Sequence, residues 1–239
     1  MVNFWKIVNR VIAKSDVVLQ VIDSRIPELS RNLEIEAKIK RQEKKLINVL
    51  NKSDIGKIKT NIENAVYVSA KKKQGTSILK RKILYLGGKQ KKEIVVGVVG
   101  YPNTGKSSVI NALAGKSKAT TSAKSGFTRG LQFVRAGSRI VLIDTPGVIP
   151  FKEKDEFKQA LIGAKDSAHI QDPENVALHL IEVLQGKIEK YYGIDEKVFG
   201  DEKLEQAGQK LKILAKGGGV DIQRTSRKLI SDWQRGVIN

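Results

Sequence analysis

Hydrophobic positions along the chain follow two rhythms, and the change between them comes near residue 155. Before that point, six short runs rich in β-branched residues stand out: VVLQVID (17–23), KLINVL (45–50), AVYVS (65–69), IVVGVVG (94–100), LQFVR (131–135) and RIVLIDT (139–145). Several are apolar throughout instead of alternating, the pattern of strands buried on both faces of a mainly parallel sheet. Helical periodicity fills the intervals at 3–14, 31–43, 75–86 and 106–114. Strands alternating with helices predict a doubly wound α/β domain over residues 1–150. Beyond it the pattern is helical only, near 155–165, 173–192, 195–215 and 222–235, which predicts a small all-helical domain over 151–239. Gly217, Gly218 and Gly219 break the last two segments, and Asp221 is placed to cap the final helix. That helix carries Leu229, Ile230 and Trp233 on one side, with Arg224, Arg227, Lys228 and Arg235 elsewhere.

The polar residues at the ends of the predicted strands carry the chemistry. GYPNTGKS (100–107) follows the run IVVGVV and precedes a helix, the context in which a G-x-x-x-x-G-K-[ST] phosphate loop is meaningful. Gly100 and Gly105 let backbone amides turn toward phosphate oxygens, Lys106 neutralises the β- and γ-phosphates, and Ser107 offers a hydroxyl to magnesium. Asn103, Thr104 and Ser108 belong to the same phosphate-binding set. DTPG (144–147) supplies Asp144 for the metal and the Gly147 amide for the γ-phosphate. NKSD (51–54) ends another run; Asp54 can accept from the two N–H donors of guanine, Asn51 can brace the loop, and the Lys52 stem can cover the base. A buried carboxylate facing adenine would lack donors, so such a reader favours GTP over ATP. SAK (69–71) adds Ser69, the Ala70 amide and Lys71 to the base pocket, and GFTRG (126–130) offers Thr128 to the magnesium and the γ-phosphate. Lys106, Thr128, Gly147 and Asn103 are the expected catalytic group.

These elements come in an unusual order: guanine reader, alanine loop, phosphate loop, threonine loop, DTPG. The order is a cyclic rotation of that in Ras-like P-loop GTPases, and a permuted chain can fold to the same sheet. In this the chain resembles the circularly permuted ribosome-assembly GTPases of the YlqF/YawG (RbgA-like) family. Gly217, Gly218, Asp221, Asp232, Trp233 and Gly236 are similar to that family's C-terminal signature, and VIDSRIP (21–27) is similar to its DAR-x-P segment. The resemblance implies a Ras-like GTPase domain, GTP and GDP as ligands with Mg2+, hydrolysis coupled to maturation of the large ribosomal subunit, and ribosomal RNA as the main partner. It also makes Asn103 a potassium-coordinating position, against the alternative of a residue that only braces its loop.

Composition sharpens the partner. The formal net charge is +19, with nine Lys or Arg and no acid in 71–92 and six and no acid in 116–139. Such fields concentrate polyanions. With aromatics at only 5%, a base-stacking platform is not expected, so folded RNA read through its backbone fits better. Absence of cysteine removes disulfides and thiolate chemistry, and no apolar run reaches the roughly 18 residues of a membrane span. A cytoplasmic monomer is expected, without membrane contact. Two features bear on rate. Val148 stands where Ras-like enzymes carry a water-orienting glutamine, and the N-terminus lacks the PGHM histidine of bacterial YlqF proteins. His169 and His179 lie in the helical part and are expected at capping or surface positions. Slow intrinsic turnover stimulated by the ribosomal particle is the expectation; a GTP-regulated RNA-binding module with little or no hydrolysis is the alternative.

Overall fold

The computed structural model of the chain describes residues 4–115, 132–145, 147 and 155–238. The chain divides into two compact units, Met1–Lys152 and Glu153–Asn239. The first contains helix α1 (Phe4–Lys14), strand β1 (Val17–Asp23), α2 (Pro27–Ser30), α3 (Leu33–Arg41), β2 (Lys45–Asn51), β3 (Ala65–Tyr67), α4 (Thr76–Gly87), β4 (Ile94–Val99), α5 (Lys106–Ala114), β5 (Gln132–Arg135) and β6 (Ile140–Asp144).

Six strands form one sheet in the order β3-β2-β1-β4-β6-β5, parallel throughout except for β5 against β6. The β-branched runs explain the sheet: β1 and β6 are buried at every position, so both faces need cover. Leu79 and Ile83 of α4 and Val109, Ile110 and Leu113 of α5 pack with Val17, Leu19 and Val21 on one face. On the other, Trp5, Val8 and Ile12 of α1 and Ile35 and Ile39 of α3 meet Val18 and Val99. Gly97 is needed in β4 for this second layer, because a Cβ there would lie 2.5 Å from Ser15 Oγ and 2.8 Å from Val11 Cγ1. The two neighbours β1 and β4 lead away to helices on opposite faces, which opens a crevice at their carboxyl ends.

The second unit contains α6 (Glu156–Leu161), a 3-10 turn (Ser167–His169), α7 (Pro173–Leu184), α8 (Lys187–Tyr192), α9 (Asp201–Leu211) and α10 (Ile222–Arg235). Asp221 caps α10 by accepting from the Arg224 amide at 2.9 Å. Leu229, Ile230 and Trp233 are buried along its inner side, and Trp233 Nε1 donates to the Leu161 carbonyl at 2.8 Å. Two expected helices change. The segment 173–192 is broken where Gln185 and Gly186 take φ of 40° and 79°, and 195–215 shortens to α9, ended by Lys212 at φ 55°. Leu214 and Val220 form an antiparallel bridge around the glycines instead of continuing a helix. Arg227 is half-buried and donates to the carbonyls of Ser167, Ala168 and Ile170. His169 and His179 are exposed, the latter's ring 4.7 Å from that of Phe157. Among the described residues no helix is long and apolar enough to cross a membrane.

Candidate nucleotide site at the carboxyl edge of the sheet

The loop after β4 begins with Gly100 at φ 142°, where a Cβ would lie 2.5 Å from the Val21 carbonyl oxygen of β1. It ends with Gly105 at φ 92°, which starts α5 by accepting from the Val109 amide at 2.9 Å. Between them, Thr104 Oγ1 donates to the Tyr101 carbonyl at 3.0 Å, and the buried Lys106 Nζ donates to Tyr101 at 2.7 Å and Gly100 at 3.3 Å. Asn103 is exposed at the bend, with φ 59°, and Ser108 is exposed on the first turn of α5.

Three of the sequence elements meet through one side chain. Asn51, the last residue of β2 and 3% exposed, donates from Nδ2 to the Thr104 carbonyl at 3.0 Å and accepts on Oδ1 from the Ala70 amide at 3.1 Å. The NKSD, SAK and GYPNTGKS segments are therefore one assembly. Asn51 reaches the phosphate loop because Gly105 has no side chain: a Cβ there would lie 2.3 Å from Asn51 Nδ2. The Ala70 amide, which the sequence assigned to the base, is thus engaged by Asn51. Asp54 is held by Ser69, whose Oγ donates to Oδ1 at 2.7 Å while accepting from the Lys72 amide at 3.0 Å. Lys71 projects into solvent on that turn. Strand β3 stops at Tyr67, short of the expected 69, because Ser69 pairs with Gln74 to close the turn.

Two of the residues expected at the metal also converge. Ser107 Oγ donates to Asp144 Oδ2 at 3.1 Å, and Asp144 Oδ1 is buried without a hydrogen-bond partner among the described residues. Burial raises the Asp144 carboxyl above the usual carboxylate range, while Lys106, Ser107 and the Thr145 amide pull it back. Burial likewise lowers Lys106 to about 8, with Asp144 opposing. Gly147 approaches the phosphate loop so closely that a Cβ would lie 2.6 Å from Pro102 Cα and 2.9 Å from Lys106 Nζ. One hydroxyl, one carboxylate with an unused oxygen, and a lysine beside them suit a hard, oxygen-seeking cation that takes its remaining ligands from phosphate and water, as magnesium does. No cluster of three or more His, Cys, Asp or Glu suited to a metal occurs among the described residues. Thr128 and Val148 lie outside the described residues.

One group was not assigned a role from the sequence. Asp23, at the end of β1 and opposite Asn51, accepts from Arg25 Nε at 3.0 Å and from Lys52 Nζ at 2.8 Å. The segment that contains it, VIDSRIP, could be marked by motif resemblance, but its tie to Lys52 spans 29 residues and is a product of strand pairing.

Comparison with known proteins places the chain in a family. The 50S ribosome-binding GTPase family matches residues 95–215. An uncharacterised GTP-binding protein of Methanocaldococcus jannaschii is 42% identical over 98% of this chain and 65% of its own length. Nucleolar GTP-binding protein 2 of Saccharomyces cerevisiae is 32% identical over 99% of this chain and 52% of its own length, so the chain spans only part of these relatives. In structure, GNP-bound YlqF from T. maritima superposes with a TM-score of 0.67 at 22% identity, covering 97% of this chain and 93% of that one. Its GDP-bound form gives 0.62 at 22% identity, covering 93% and 91%. The chain belongs to the 50S ribosome-binding GTPase family and has the circularly permuted fold of YlqF.

Proposed function

We propose that the chain binds GTP at the carboxyl edge of its sheet, hydrolyses it to GDP and phosphate, and docks on ribosomal RNA of a large-subunit precursor. The observation that carries the nucleotide reading is Asn51, which ties Ala70 to Thr104 and so brings the base-reading and phosphate-binding loops within reach of one ligand. Asp54 takes the guanine edge, held in place by Ser69. The amides of residues 103–108 and the Lys106 ammonium take the phosphates, and the amino end of α5 adds its positive dipole. Ser107 and Asp144 would hold Mg2+, which when bound neutralises charge on the phosphate oxygens. The Gly147 amide beside Lys106 and Thr128 take the γ-phosphate. Val148 has no hydrogen-bonding side chain, so the attacking water is oriented by backbone, by another residue or by the partner, and the intrinsic rate is slow.

The RNA reading rests on charge. The outward side of α4 exposes Ile78, Arg81 and Tyr85; Lys71, Lys72 and Lys73 precede the helix, and Lys89 and Lys92 follow it. Such an acid-free stripe suits a phosphate backbone. The segment after Gly147 leads directly into the second unit, which begins at Glu153. Loss of the γ-phosphate is thus passed along the chain, with GTP favouring docking and GDP favouring release. Sedimentation with purified large-subunit particles under GDP, a non-hydrolysable GTP analogue and no nucleotide tests this. Equal association in all three would end the switching reading, and turnover unchanged by particles would favour a GTP-regulated RNA-binding module.

A further inference from the structure

Residues 23–25 pack against segment 51–58, which carries the guanine-reading loop. Asp23 is 2% exposed; Oδ1 accepts from the Arg25 amide at 3.1 Å and from Nε at 3.0 Å, and Oδ2 accepts from Arg25 Nη2 at 2.8 Å and Lys52 Nζ at 2.8 Å. The Ser24 amide donates to the Asn51 carbonyl at 2.8 Å, its Oγ donates to the Gly56 carbonyl, and its own carbonyl accepts from the Ile58 amide at 3.1 Å. Arg25, also 2% exposed, fills the space that a Gly56 side chain would need: a Cβ there would lie 2.7 Å from Arg25 Cγ. The loop needs such a tether. Lys52 sits at φ 64°, a conformation that costs a residue with a side chain about 1–2 kcal/mol unless its surroundings hold it.

Burial by itself would raise the Asp23 carboxyl, but Lys52 and Arg25 outweigh it and hold it down at about 2. Lys52 responds in the opposite sense. Burial lowers its ammonium, the Arg25 charge lowers it further, and Asp23 recovers only part of this. For Asp23 the two neighbouring cations together outweigh burial, whereas for Lys52 burial, the largest effect, and the Arg25 charge together outweigh the one carboxylate. Lys52 lies two residues before Asp54, and its side chain is fixed to a strand end that is buried in the core. Fixing Lys52 fixes the direction from which Asp54 enters the site.

We propose that Asp23, clamped by Arg25, is a positioning residue for guanine recognition, acting through Lys52 on Asp54. The proposal rests on the reading of Asp54 as the guanine contact. GDP and inosine diphosphate separate the two ideas, because inosine lacks the 2-amino group and offers Asp54 one donor fewer. The wild-type chain should bind GDP well above inosine diphosphate. In Asp23→Asn, titrated by calorimetry, the ratio of the two affinities should shrink at least tenfold, whereas a purely structural defect would lower both affinities alike and leave the ratio intact. In a Lys52→Met background, adding Asp23→Asn should shrink the ratio no further. Arg25→Lys, which keeps charge and stem but loses the fork, should shrink the ratio in the same direction, and it serves where Asp23→Asn does not fold. An unchanged ratio in a folded Asp23→Asn or Arg25→Lys variant overturns the positioning role. A wild-type chain that does not distinguish GDP from inosine diphosphate overturns the Asp54 assignment and this inference with it.

Discussion

Ser107 and Asp144 stand 37 residues apart in the chain, yet the serine hydroxyl donates to the aspartate at 3.1 Å, joining the first turn of α5 to the end of β6. The carboxylate keeps its other oxygen free of hydrogen bonds among the described residues while burial works against its charge. Asp144→Asn removes a poorly solvated charge but also the carboxylate that offsets burial of the Lys106 ammonium, so stability at neutral pH should fall. The substitution should also abolish most of the tightening of GTP binding by magnesium. Denaturant melts and GTP-analogue titrations with and without Mg2+ measure the two effects; equal magnesium dependence in both proteins would remove Asp144 from the metal site.

Asn51→Ala removes both ties of the bridging side chain and leaves the Thr104 carbonyl and the Ala70 amide without this partner. A cost of about 1–3 kcal/mol in unfolding free energy is expected, together with weaker nucleotide binding. Chemical denaturation and GDP titration should show both losses. A variant that lost neither would mean that the loops are held together by other contacts.

Gly147→Ala places a methyl against the Pro102 backbone and Lys106 Nζ. The first of these contacts, with backbone, has little room to relax. The expected result is a loss of at least tenfold in affinity for a GTP analogue with a smaller loss for GDP, because in the proposed site only the former places a γ-phosphate beside the Gly147 amide.

The Lys106 ammonium gives a pH dependence of definite sign. Its folded value of about 8 lies below the ordinary 10.5, so between these values the unfolded chain binds the extra proton and stability rises with pH. Nucleotide binding runs the other way: above about 8 the free site loses the charge that the phosphates require, and affinity should fall by up to about tenfold per pH unit. Lys106→Met should bind weakly with little of this slope, as GDP titrations from neutral to alkaline pH would reveal.

Potassium offers a separate check on Asn103, which sits exposed at the left-handed bend of the phosphate loop. If it helps to coordinate a monovalent cation, hydrolysis should be faster in potassium than in sodium, and Asn103→Ala should erase the difference. Equal rates in the two salts would leave Asn103 a bracing residue.

The β-branched runs by themselves determined the six strands and the helices that alternate with them: central strands such as β1 and β6, covered on both faces, must be apolar at nearly every position, and that pattern is local. The residues Asn51, Lys106, Ser107 and Asp144 could be marked as candidates for a similar reason, since phosphate and metal chemistry admits few residue types at each spacing, and the structure sets Asn51 against the loop of Lys106 and Ser107 against Asp144. Where the pattern gave way, local backbone geometry decided. Gln185 and Lys212 take left-handed conformations that end α7 and α9, and no hydrophobic periodicity announces them. Only the tertiary structure brought Asp23 to Lys52, engaged the Ala70 amide with Asn51, and turned Arg227 inward to three carbonyls. Each of these joins residues at least 19 positions apart, so the partner is chosen by strand order and helix packing, about which the neighbours in sequence carry no information.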